Sequence, residues 1–181
     1  MGEPIDIVPY DPAWPGMFAR WGGVLRAALG DVAARIDHVG STSVPGLAAK
    51  SVIDIQISVA SLEPADPFVA PLTGTGLVHQ ADNPERTKRY FREPPGQRRM
   101  HVHVRQLGTF SQQFPLLFRD YLRCHPSAAT EYAAAKQRCA ATFRDDRAGY
   151  VRAKDAFVWD VIRCADAWAQ RIGWIPGPSD A

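Results

Sequence analysis

The sequence has little cysteine: Cys124, Cys139 and Cys164 are three residues in 181, and they form no CxxC or CxxH pattern. An odd number of scattered thiols argues against a disulfide framework and for a reducing compartment. All three fall in helix-like sequence, where they are expected as small core residues. Long apolar runs are also missing, and none approaches the roughly 20 residues of a membrane span. The opening MGEPIDIVPYDPAW is acidic and proline-rich, unlike a secretory signal. A cytoplasmic protein that does not touch a membrane is expected. There is no low-complexity linker and no true repeat. Charge is nearly balanced at +2, and no nucleic-acid-binding motif is present, so nucleic acid is not the expected partner.

What is there fits an ordinary globular chain, with 46% hydrophobic and 22% charged residues. Its length suits one domain spanning 1–181, divided into an αβ core over 1–108 and a helical part over 109–181. Ile5–Tyr10 reads as extended, and Trp14–Leu29 as a helix that Gly30 ends. Val32–Val39 reads as a strand. VIDIQISV (Val52–Val59) is the clearest strand, with Ile53, Ile55, Ile57 and Val59 on one face and Val52, Asp54, Gln56 and Ser58 on the other. A helix over 67–73 and strands at Leu77–Gln80, Lys88–Arg92 and Met100–Leu107 follow, with Pro94-Pro95-Gly96 as a turn. Beyond Ser111 the pattern is helical: Phe114–Arg123, Ser127–Phe143 with Ser127 as N-cap, and Arg147–Ile172. In the last helix Phe157, Val161, Ala165, Trp168 and Ile172 mark the buried face. The tryptophans read as core, with Trp174 more exposed. Strands first and helices after give an α+β fold with a mixed sheet and a C-terminal helical layer.

Three features bear on chemistry. The first is the stretch HVGSTSVPG (His38–Gly46) after a strand, where Gly40 permits a tight turn and Ser41 and Thr42 offer donors to an anion. The second is Asp54, separated from Ser41 by twelve residues and on the next strand. A solvated strand face accounts equally for Asp54, Gln56 and Ser58. The third is the run from Glu85 to Arg105, with seven basic residues against two acidic ones. Arg89 and Arg92 there read either as an anion clamp or as a solvated hairpin. His101 and His103 share a strand face by their spacing. Lys50 sits at the mouth of the Asp54 strand. Tyr132 with Lys136 and Tyr150 with Lys154 each share a helix face, either as surface pairs or as groups that close a cleft.

These residues, taken in order, resemble the GrpB family. The resemblance rests on Tyr10-Asp11-Pro12-Ala13-Trp14, His38 through Leu47, Lys50 through Ile55, Arg89-Tyr90-Phe91-Arg92, His101-Val102-His103-Val104, Phe118-Arg119-Asp120-Tyr121-Leu122, Tyr150 and Lys154. It implies a nucleotidyltransferase-like fold. Gly40, Ser41, Thr42, Lys50, Gln56, Arg89, Arg92, Lys136, Tyr150 and Lys154 would hold a nucleotide or other phosphorylated small molecule. Asp54, His101 and His103 would hold a divalent metal and carry catalysis, with His101 or His103 as ligand or base. Domains resembling this one occur fused to dephospho-coenzyme A kinase. Active nucleotidyltransferases resemble Gly-Ser followed by Asp-x-Asp, with a third carboxylate on a later strand. Here the strand reads Asp54-x-Gln56 and the later strand His101-x-His103, a donor set that suits a transition metal better than Mg²⁺. Three activities stay open: nucleotidyl transfer to a small acceptor, non-catalytic binding of a nucleotide or coenzyme, and Asp-His-His metal chemistry without a nucleotide.

Overall fold

The structure, a computed structural model, describes residues 4–181, so the opening Met1–Glu3 lies outside the described residues. Helix α1 (Trp14–Leu29) has Pro15 in its first turn and buries Trp14, Phe18, Leu25 and Leu29 along one side. Arg26 closes its last turn by donating to the Gly30 carbonyl at 2.9 Å. Strand β1 (Arg35–Val39) leads into a short 3₁₀ turn over Ser41–Ser43 and then strand β2 (Ile53–Val59). Helix α2 (Asp66–Gly74), β3 (Val78–His79), β4 (Lys88–Arg92) and β5 (Met100–Gln106) complete the first part. Helices α3 (Phe110–Cys124), α4 (Pro126–Thr142) and α5 (Arg147–Ile172) follow.

The five strands form one mixed sheet in the order β1-β2-β5-β4-β3. The central β2–β5 pair is parallel and sets Asp54 opposite His101 and Gln56 opposite His103. The other pairs are antiparallel. This is the expected α+β architecture. One sheet face carries Ile36, Ile53, Ile55 and Ile57, packed against Trp14, Phe18 and Leu25 of α1 and Phe68 and Leu72 of α2.

The other face differs from the solvated surface that its polar residues would suit. Gln56 and Ser58 are 0% exposed, because the start of α3 lies over them. Gln56 Nε2 donates to the Gln112 carbonyl at 2.8 Å, and Gln112 Nε2 donates to Ser58 Oγ at 3.2 Å. These bonds let the amide N–H groups and the Ser58 hydroxyl be covered, while Gln56 Oε1 is buried without a partner. Only Asp54, at the near end of the row, reaches the opening.

A buried charge network ties the helical layer to the sheet. Arg119 on α3 is 3% exposed and donates to the His38 carbonyl at 3.1 Å and to Asp180 at 2.8 Å. It also pairs with Asp120 at 2.7 Å and lies 3.8 Å from Asp37, which is itself fully buried and bonded to Arg35. The terminal stretch carrying Asp180 runs along β1, with Ile36 N donating to Ser179 Oγ at 2.8 Å and His38 N to Asp180 at 2.9 Å. It thereby covers the sheet edge that β1 would otherwise leave open.

Several local expectations are corrected. Helix α4 begins at Pro126, with His125 rather than Ser127 ahead of it, because proline presets the first turn. On α5 Ile162 and Ala165 are buried, whereas Ile172 is 56% exposed in the last turn, where nothing covers it. Cys139 is buried, but Cys124 and Cys164 are exposed. Trp159 is 49% exposed, and Trp174 is partly covered and donates its indole N–H to Asp120 at 3.2 Å. No helix among the described residues is long and apolar enough to cross a membrane.

Removing Arg119 leaves Asp37 and Asp180 without their shared cation inside the fold. Arg119→Ala is therefore expected to lower unfolding free energy by about 3–5 kcal/mol, read from urea denaturation.

Candidate functional site

The site begins where β1 ends. Gly40 has φ +72°, a left-handed conformation, and it faces Asp54 so closely that an added Cβ would sit 2.7 Å from Asp54 Oδ2. Glycine is required here twice over, by conformation and by space. The 3₁₀ turn that follows is pinned by Ser43 Oγ on the Gly40 carbonyl at 2.6 Å. Thr42 hydroxyl donates to the Val52 carbonyl at 3.1 Å and meets His38 Nε2 at 3.0 Å. Its hydroxyl is thus spent on fastening the loop to β2. Ser41 faces the other way, into the cleft, and accepts from Lys136 Nζ at 3.0 Å.

Asp54 sits between this loop and two imidazoles. His101 Nδ1 lies 3.0 Å from Asp54 Oδ1, and His103 Nε2 lies 3.6 Å from the same oxygen. The carboxylate only accepts, so His101 Nδ1–H is the donor. Burial pushes the Asp54 carboxyl upward, but the contacts from His101 and His103 outweigh it and hold it well below the usual carboxylate range. Burial lowers His103, against the pull of Asp54. Tyr90 stacks on His103 with ring centres 5.2 Å apart. The outward nitrogens, His101 Nε2 and His103 Nδ1, are buried without a hydrogen-bond partner.

One ligand atom from each of Asp54, His101 and His103 can be chosen so that all three lie within 4.8 Å of one another. Neighbouring donors around a tetrahedral ion with bonds near 2.0 Å stand about 3.3 Å apart, and the two Asp–His distances bracket that value. The donor set therefore fits a first-row transition ion.

Two chambers open on either side of Asp54. The larger, about 220 Å³, is lined by Ser41, Thr42, Lys50, Asp54, Arg99, His101, Lys136, Arg147, Tyr150 and Lys154, together with small apolar groups. Five of these are cationic and Asp54 is the single acid. Burial brings Lys136 down to about 7, with help from Lys154. Burial, then Arg147 and Lys154, brings Lys50 down to about 8. Lys50 sits 4.5 Å over the Tyr150 ring and Lys136 4.8 Å over the Tyr132 ring. Burial raises the Tyr150 hydroxyl to about 12. The second chamber, about 200 Å³, is lined by Gly40, Ser41, Asp54, Phe114, Pro115, Phe118, Tyr132, Lys154 and Val158.

The structure thus brings together Gly40, Ser41, Thr42, Lys50, Asp54, His101, His103, Lys136, Tyr150 and Lys154. It does not bring Gln56 or Arg89 to the cleft. Gln56 is sealed under α3, as described above. Arg89 pairs with Val104 in the β4–β5 register, on the opposite sheet face from His101 and His103, and forms an ion pair with Glu63. Arg92 shares the face of His101 and donates to Glu93 at 2.6 Å, a short distance from the cleft's lining. Arg147 and Arg99 were not singled out by the sequence. Arg147 precedes Tyr150 and Lys154 by three and seven positions, so the same helix-face spacing would have found it.

A mixed sheet with a glycine-serine loop before the acidic strand is a nucleotidyltransferase-like fold, and comparison with known proteins agrees. The structure of the Cid1 poly(U) polymerase with Mg 3'-dATP bound aligns with a TM-score of 0.50 over 81% of this chain and 49% of that one, at 12% identity. That likeness concerns the fold alone. The chain belongs to the GrpB family, whose profile, described as GrpB protein, matches residues 4–163. The crystal structure of GrpB from Enterococcus faecalis aligns with a TM-score of 0.80 at 32% identity, over 90% of this chain and 99% of that one. A protein of Mycolicibacterium paratuberculosis named dephospho-CoA kinase is 38% identical over 96% of this chain and 49% of its own length. The chain spans about half the length of several curated relatives it matches.

Two consequences are measurable. Gly40→Ala pushes a methyl group into Asp54 and strains the backbone, and is expected to cost about 1–3 kcal/mol of stability in chemical denaturation. Lys136 titrates near 7 in the fold and at the ordinary lysine value of 10.5 in the unfolded chain. Between those values the unfolded chain binds the extra proton, so this group makes stability rise with pH from about 7 toward 10. Lys136→Met is expected to flatten that rise in melting curves taken across the interval.

Proposed function

We propose that this protein is a nucleotidyltransferase-like enzyme that holds the phosphates of a nucleotide in the cationic chamber and transfers a nucleotidyl group to a small acceptor. The observation that carries this reading is the charge of that chamber: Lys50, Arg99, Lys136, Arg147 and Lys154 surround a single carboxylate. Cations that burial and mutual repulsion push toward neutrality gain most from a bound polyanion.

The roles divide by position. Lys50, Lys154 and Arg147 reach the chamber from the mouth of β2 and from α5, and would neutralise phosphate oxygens. Ser41 offers its hydroxyl at the junction, while Lys136 holds that hydroxyl and the Ala48 carbonyl at 2.5 Å, fixing the loop. Asp54, His101 and His103 would hold the divalent ion through Oδ1, Nδ1 and Nε2. Such an ion supplies Lewis-acid polarisation of a phosphoryl oxygen. Gln56 adds nothing to that set, which favours Mn²⁺, Co²⁺ or Zn²⁺ over the Mg²⁺ of an all-carboxylate site.

A second reading, binding of a nucleotide or coenzyme without turnover, is favoured by the buried Gln56 in place of a second carboxylate. The relatives named dephospho-CoA kinase make coenzyme A and its precursors worth including among the ligands.

The test is a melting series with ATP, CTP, GTP, UTP and coenzyme A, each with Mn²⁺, Co²⁺ or Mg²⁺. Binding at a hundredfold excess over Kd adds about 2.7 kcal/mol, a rise in Tm of roughly 5–10 °C for a chain of this size. Lys50→Gln with Lys154→Gln is expected to abolish the rise. No shift with any pairing would overturn both readings, and binding without pyrophosphate release in the presence of any acceptor would leave only the second. Binding of Co²⁺ is expected to give a visible absorption band that disappears in His101→Ala. Because phosphate raises the lysines that burial had lowered, tripolyphosphate binding at pH 8 is expected to take up protons, read by calorimetry in buffers of different ionisation enthalpy.

A further inference from the structure

The second chamber shares Ser41, Asp54 and Lys154 with the cationic one, yet its chemistry is opposite. Its remaining walls are Phe114, Pro115 and Phe118 of α3, Tyr132 of α4 and Val158 of α5, with Gly40 contributing no side chain. The Tyr132 ring meets Phe118 edge-on at 5.2 Å, and the Tyr132 hydroxyl is engaged with Ser41. Phe118 stacks with Phe114 at 6.3 Å, and Phe114 in turn contacts Phe110 at 5.7 Å and Trp159 at 5.9 Å. Phe110 is 68% and Trp159 49% exposed. A continuous aromatic wall therefore runs from solvent down to the carboxylate. Exposed aromatics joined to a pocket in this way mark a binding surface rather than scattered surface residues.

We propose that this aromatic-walled chamber is the acceptor site, and that the acceptor is a small molecule with an apolar ring and a hydroxyl group that points toward Asp54. The inference rests on the cationic chamber taking the phosphates. A nucleobase is the poorer occupant. Its ring edge carries several donors and acceptors, and beyond the shared rim the only polar side-chain group lining the chamber is the Tyr132 hydroxyl, already engaged with Ser41. The volume, about 200 Å³, suits a single substituted ring. In the transfer, the acceptor's hydroxyl oxygen bonds to the α-phosphorus. The bond from that phosphorus to pyrophosphate breaks, pyrophosphate leaves with the electron pair, and the hydroxyl proton passes to water.

The experiment titrates the full chain with benzyl alcohol, glycerol, adenosine and inorganic tripolyphosphate, each alone, followed by NMR shift changes. Benzyl alcohol is expected to bind at least tenfold more tightly than glycerol and than adenosine. Phe114→Ala should weaken it roughly tenfold, and Val158→Trp, which fills the chamber from a partly exposed position, should abolish it. Tripolyphosphate should bind equally well to both variants. Benzyl alcohol binding that is absent, or that neither substitution changes, overturns the proposal. So does adenosine binding that exceeds benzyl alcohol and depends on Phe114, since the chamber would then take a base. If benzyl alcohol behaves as expected while tripolyphosphate fails to bind, the aromatic chamber stands and the phosphate reading falls.

Discussion

Everything at this cleft hangs on how closely the Gly40 backbone and the Asp54 carboxylate approach. The left-handed glycine lets the chain turn against β2 with no side chain between, so that Ser41 emerges beside the carboxylate. His101 and His103 approach the same carboxylate from the parallel neighbour β5. Burial by itself would raise the Asp54 carboxyl. Here the imidazole contacts outweigh desolvation and keep it ionised. The parallel pairing matters as much as the residue types, because register places His101 beside Asp54 and His103 one step along on the same face.

The second physical theme is that the cations are held at a cost. Lys136 has 2% of its surface exposed, and Lys50 is lowered by burial and by three neighbouring positive groups, Arg147, Lys154 and Arg99. Five cations around one acid repel one another. Their arrangement makes sense as stored repulsion that an anion relieves. Lys136 has a further structural duty, since its two hydrogen bonds tie α4 to the loop of Ser41 and Ala48. The loop geometry and the electrostatics of the chamber are therefore coupled through one side chain.

Much of the framework was legible in the residues. The alternation of Ile53, Ile55 and Ile57, the helical spacing of Phe18, Leu25 and Leu29, and the Gly30 that ends α1 are local signals, and local backbone physics decides them. Asp54, Lys136 and Lys154 were legible as candidates because their motifs are ordered along the chain. What could not be read were pairings between distant segments. Gln56 and Ser58 looked solvated because nothing near them in sequence announces Gln112, more than fifty residues away. Arg89 looked like a member of a clamp because strand parity assigns faces but not the side of the sheet that the cleft occupies. The Arg119–Asp37–Asp180 network joins an α3 residue, a β1 residue and the terminal stretch, a combination no periodicity encodes.

Gln56 also bears on how the cleft is walled. In an Asp-x-Asp strand the second carboxylate must face the ligand, which keeps that position uncovered. With a neutral amide there, α3 can close over the strand, because the amide finds a carbonyl partner in Gln112. The same helix carries Phe114 and Phe118, which line the second chamber with Asp54. On β5, His101 and His103 converge on that carboxylate. The covered Gln56 and the aromatic chamber both depend on α3 lying over the sheet, and an acid at position 56 would place an unpaired charge beneath that helix.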